Sequence, residues 1–128
     1  MEIPKYIQEI IDKQELHILS TSSGKGVPNI IYLKFLKVYN DEQILIANNK
    51  FFKTEKNLIE NPRIAFVVRD KETGKSYQIK GTVEMHKDDK IYDDVVKWVE
   101  EIRTKPLTPK SAVILNVEEI YCGAEKIL

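Results

Sequence analysis

Two lysines and a threonine stand close together in the run Ile44-Leu45-Ile46-Ala47-Asn48-Asn49-Lys50-Phe51-Phe52-Lys53-Thr54-Glu55-Lys56-Asn57-Leu58. An apolar stretch enters a polar loop, and a short helix is expected from near Thr54 to just before Pro62. A phosphate group needs donors aimed at it, positive charge and little competing water. The free N–H groups of a helix's first turn supply donors. Lysine supplies a compact charge, and the threonine hydroxyl adds a donor. Lys50, Lys53 and Thr54 therefore mark a candidate phosphate seat. The same residues also fit a plainer arrangement, in which Thr54 caps the helix and the lysines are solvated.

Asn29, Ile30, Ile31 and Tyr32 form a second candidate. A flat aromatic ligand wants an apolar wall, an aromatic neighbour and backbone groups for its ring edge. This run offers all three, and it reads equally as barrel core beside a turn. Other reactive side chains are dispersed. His17, His86 and Cys122 lack metal-site spacing. No nucleophile elbow, Walker loop or dinucleotide fingerprint is present. The acidic pairs Asp88-Asp89 and Asp93-Asp94 fit a solvated helix start.

The elements that must position these residues follow from periodicity. Ile3, Ile7, Ile10 and Ile11 share one helical face, with Pro4 suited to a first turn. Strands are expected over 16–21, 28–39, 43–47, 63–69, 76–86 and 112–117, with turns at 22–26, 40–42 and 70–75. A third helix is expected over 88–103, with Ile91, Val95, Trp98, Val99 and Ile102 as its apolar stripe. Parallel strands need crossovers of about a dozen residues or more. Six strands joined mostly by tight turns therefore predict a mainly β (α+β) fold: an antiparallel six-stranded barrel with peripheral helices.

Composition narrows the class further. At 128 residues the chain is one domain's worth, spanning 1–128. Twenty basic and twenty acidic residues cancel, which argues against a dedicated nucleic-acid binder. The single cysteine forbids an internal disulfide. The start MEIPKYIQEI reads as neither signal peptide nor membrane span, so the cytoplasm is the expected compartment.

Five motifs in order resemble the FMN-binding split barrels related to pyridoxamine phosphate oxidase. Phe52-Lys53-Thr54-Glu55-Lys56-Asn57-Leu58 is similar to that family's K-T-x-x-N segment. Asn61-Pro62-Arg63-Ile64, Gln78-Ile79-Lys80-Gly81-Thr82-Val83 and Lys110-Ser111-Ala112-Val113-Ile114-Leu115-Asn116-Val117 resemble three of its strands, and Gly26-Val27-Pro28 its G-x-P opening. The resemblance implies a split β-barrel holding FMN without a covalent bond, paired into a homodimer with flavin at the interface. It implies that Lys53 and Thr54 hold the phosphate, with Asn57 nearby. Asn29, Ile30, Ile31 and Tyr32 would line the flavin ring. Ile46, Ala47, Asn48 and Asn49 would contact the ring and ribityl chain. It further implies redox activity, as an electron carrier or a flavin-dependent oxidoreductase. The family's vitamin B6 oxidases carry an arginine, lysine and histidine cluster near their carboxyl end, which Gly123-Ala124-Glu125-Lys126-Ile127-Leu128 does not match. The alternative is a non-catalytic module of the same fold, binding haem or a deazaflavin or acting as a flavin sensor or store.

Overall fold

Alternation of inward and outward residues is plainest in one central strand. In β5 (Arg63–Arg69) the even positions Ile64, Phe66 and Val68 face inward and the odd ones outward. The computed structural model describes residues 2–103 and 106–128. It contains β1 (His17–Ser22), β2 (Pro28–Leu33), β3 (Leu36–Asn40), β4 (Gln43–Asn48), β6 (Ser76–His86), β7 (Ser111–Cys122) and the short β8 (Glu125–Lys126). Its helices are α1 (Lys5–Lys13), α2 (Lys53–Glu60) and α3 (Lys90–Ile102).

The strands form one antiparallel sheet in the order β2-β1-β5-β6-β7-β4-β3, with β8 beside β7. Its two edge strands, β2 and β3, are consecutive in the chain and separated by Lys34 and Phe35 alone. A seven-strand path whose ends are joined by two residues cannot lie flat. It must curl until its edges nearly meet, which leaves a barrel split between β2 and β3. Helix α1 packs against both β3 and β5. Its Ile7 and Ile11, with Ile3 ahead of it, join Leu19, Ile44, Phe66, Ile79 and Leu115 in the barrel core.

Eight strands occur among the described residues where six were expected. The long strand expected over 28–39 breaks at Lys34–Phe35 because the chain changes cores there. Leu33 and Leu36 pack inside the barrel. Phe35 packs outside it, with Leu45, Ala47, Ile114 and the Val95/Val99 face of α3. The final strand runs on to Cys122 rather than ending at Val117, because a bulge at Glu118 shifts its register against Lys80 and Gly81. The remaining strand, β8, pairs with that extension.

Gly81 lies where two backbones approach. A Cβ at this position would meet the Asn116 carbonyl oxygen at 1.9 Å, so only glycine fits.

Candidate functional site

A cleft of about 380 Å³ lies beside the link that joins β2 to β3. One wall is β2 with the 34–35 link, supplying Asn29, Ile31, Tyr32, Leu33, Lys34 and Phe35. The other runs from Ala47 at the end of β4 through Asn49, Lys50, Phe51 and Phe52 to Lys53 and Thr54 of α2. This volume lies within the roughly 300–1,000 Å³ range of small-molecule sites. Three lysines line it, and among the described residues no carboxylate does.

Helix α2 begins one residue earlier than expected. Phe52 occupies the N-cap position and no side chain caps the helix. Thr54 is therefore not the cap but a member of the first turn. Its Oγ1 accepts a hydrogen bond from Asn29 Nδ2 at 3.1 Å, tying the two walls together. That contact occupies a lone pair and leaves the hydroxyl proton free to donate. An uncapped first turn beside Lys53 is the arrangement that favours an anion.

The loop between β4 and α2 is held from behind. Asn48 is fully buried. Its Nδ2 donates to Glu55 Oε2 at 2.7 Å and to Ser111 Oγ at 3.0 Å, and its Oδ1 accepts from the Phe51 N–H at 3.1 Å. Asn49 faces the cleft, and its buried Oδ1 accepts from nothing in the protein. A buried acceptor without a donor costs about 1–3 kcal/mol.

Of the residues singled out in the sequence, Asn29, Ile31, Tyr32, Ala47, Asn49, Lys53 and Thr54 converge on this cleft. The structure places four elsewhere. Ile30 projects from the outer face of β2. Ile46 lies in the barrel core. Asn48 serves the loop, and Asn57 donates inward to Thr21 Oγ1 at 3.1 Å. Leu33, Phe35, Phe51 and Phe52 line the cleft although their types gave no chemical signal. Lys50, part of the phosphate seat read from the sequence, lines the cleft too, and Lys34 is the lining residue that charge alone could have added.

Residues 3–122 match the pyridoxamine 5'-phosphate oxidase family, and the chain belongs to it. An uncharacterized protein of Methanocaldococcus jannaschii is 33% identical over 123 residues, covering 93% of this chain and 81% of that protein. Among solved structures, HupZ of Group A Streptococcus is 26% identical, with a TM-score of 0.83 and coverage of 94% and 93% of the two chains. Two more distant structures share the fold. An FMN-binding protein of Syntrophomonas wolfei is 22% identical, with a TM-score of 0.71 over 89% and 81%. HutZ, the heme storage protein of Vibrio cholerae, is 18% identical, with a TM-score of 0.68 over 95% of each chain.

Among the described residues no helix is long and apolar enough to cross a membrane, and no cluster of His, Cys, Asp and Glu has the makings of a metal site.

Proposed function

We propose that this chain is a redox flavoprotein that binds FMN in the cleft between β2 and α2. The observation that carries the reading is the pairing of an uncapped α2 N-terminus with Lys53 at one end of an apolar-walled cleft. The phosphate would sit on the first-turn N–H groups, Lys53 and the Thr54 hydroxyl. Ile31, Tyr32 and Phe35 offer the ring its apolar and aromatic surfaces. Asn49 lies on the opposite wall from these residues and gives the cleft a polar side chain. Bound FMN supplies the electron chemistry, so the protein's part is to hold the flavin, orient it and control access.

The cleft favours flavin over haem. Haem iron is usually held by His, Cys, Met or Tyr, and among the described residues that line the cleft Tyr32 is the one of those types. Flavin needs no such ligand.

We further propose that two copies pair through the outer face of β2, β1 and β5. Cross-strand register sets Ile18 opposite both Tyr32 and Val67, which makes one apolar row across three strands. Ile30 lies one row along, and Tyr32 and Ile30 are 75% and 67% exposed. Such a contiguous outward stripe is what a two-fold interface covers. Because Tyr32 also borders the cleft, pairing would bring the partner copy to the mouth of the site.

The test is to purify the protein, record its visible spectrum, and release and identify any chromophore. FMN at close to one per chain, reducible by dithionite and reoxidised by air, is the expected result. A haem spectrum, a deazaflavin, or a colourless protein that refuses FMN would overturn the reading.

A further inference from the structure

We infer that Lys110, which lies outside the cleft lining, is a positioning residue that makes the α2 N-terminus an acceptable seat for a phosphate. The inference rests on the FMN reading above.

The difficulty it resolves is Glu55. This carboxylate sits in the first turn of α2, directly after Thr54. An acid there is favoured by the helix dipole, but it competes with any external anion for the same positive end. Uncompensated, it would repel a phosphate on the adjoining N–H groups. The structure turns Glu55 away and matches its charge. Its Oε2 accepts from Asn48 Nδ2 at 2.7 Å and lies 3.7 Å from Lys110 Nζ.

Lys110 also grips the loop. Its Nζ donates to the Phe51 carbonyl oxygen, and its backbone N–H donates to the Asn48 carbonyl at 2.6 Å. The residue leading into β7 thus holds the segment that carries Asn49, Lys50 and Phe52 to the cleft. Two roles are superimposed, one mechanical and one electrostatic. They differ in their dependence on ligand charge. Loosening the loop weakens any flavin, whereas unmasking Glu55 weakens only a ligand that carries a phosphate.

FMN and riboflavin separate these roles, because they share the ring and ribityl chain and differ in the phosphate. Dissociation constants for both would be measured on wild type, Lys110→Met, Lys110→Arg and the double variant Lys110→Met/Glu55→Gln. The glutamine keeps an oxygen to accept from Asn48. The expected result is that Lys110→Met weakens FMN binding about tenfold more than it weakens riboflavin binding, which reports the loop anchor alone. Lys110→Arg should restore FMN affinity, the double variant should lose only as much for FMN as for riboflavin, and the FMN-specific deficit of Lys110→Met should shrink as salt rises. Equal weakening of both flavins would reduce Lys110 to a loop anchor and overturn the inference. So would unchanged FMN affinity. A wild-type protein that shows no preference for FMN over riboflavin would instead contradict the phosphate site itself, and this inference with it.

Discussion

Asn29 on the edge strand β2 donates to Thr54 on α2 across 3.1 Å, and this contact ties the two walls of the cleft together. It is a side-chain tie between two elements whose backbones are not paired. Replacing Thr54 with valine keeps the shape but leaves Asn29 Nδ2 without its acceptor. The expected cost is about 1 kcal/mol of stability by denaturant titration, together with weaker flavin binding. Asn29→Ala should lower affinity in the same direction. Unchanged flavin affinity in both variants would show that the tie does not shape the site.

Gly81→Ala should be among the most damaging single changes in the barrel. The new methyl would collide with the Asn116 carbonyl, a backbone atom that cannot rotate away. A loss of about 3 kcal/mol is expected, read as an earlier urea midpoint. A midpoint equal to wild type would mean that β7 shifts freely at its bulge.

Much of the fold was legible from periodicity, and the exceptions have physical causes. The strands over 63–69 and 76–86 occur where alternation placed them. The break at Lys34–Phe35 carries no Gly or Pro. It reflects a change of core, and apolar residues at Leu33, Phe35 and Leu36 look like one continuous strand. The cleft was legible where charge and helix-start signals coincide, at Lys53 and Thr54. It was illegible for asparagines. Asn48, Asn49 and Asn57 are alike in sequence, yet two have their side-chain bonds within the protein and one has a buried oxygen left over. That difference depends on partners distant in the chain, Ser111 and Thr21 among them.

Two histidines give the stability opposite pH slopes. His17 is fully buried, edge-on to Phe66, with neither ring nitrogen hydrogen-bonded. Burial pushes its pKa down from 6.5 to about 4. The unfolded chain therefore takes up a proton that the folded chain refuses, and stability falls as pH drops from about 6.5 to about 4, by up to about 3 kcal/mol. His86 lies 2.6 Å from Asp89 and 3.0 Å from Glu84, and Asp89 chiefly raises its pKa. Its contribution is full below the unfolded value and is lost as pH rises through the folded one. His17→Leu should flatten the acid limb, and His86→Gln the limb on the alkaline side of the free imidazole value. Unfolding midpoints measured against pH would disprove either assignment if the matching variant kept its slope.

Pairing of two copies is checked by sedimentation. Wild type should run at twice its 14.9 kDa. Ile18→Asp, at the centre of the Tyr32–Ile18–Val67 row, should run as a folded monomer. A monomeric wild type would contradict the pairing. So would a dimer indifferent to the Ile18 change.

The proposed site puts FMN in the β2–α2 cleft with its phosphate at Lys53. Trp98, the chain's one tryptophan, packs edge-on to Phe35 at 5.6 Å between ring centroids, and Phe35 lines the cleft. Its fluorescence therefore reports directly on the site. Titrating wild type and Lys53→Ala with FMN and with riboflavin should quench Trp98 at one FMN per chain, with the Lys53 change weakening FMN and sparing riboflavin. FMN that fails to quench Trp98, or that binds Lys53→Ala as tightly as wild type, would contradict the account.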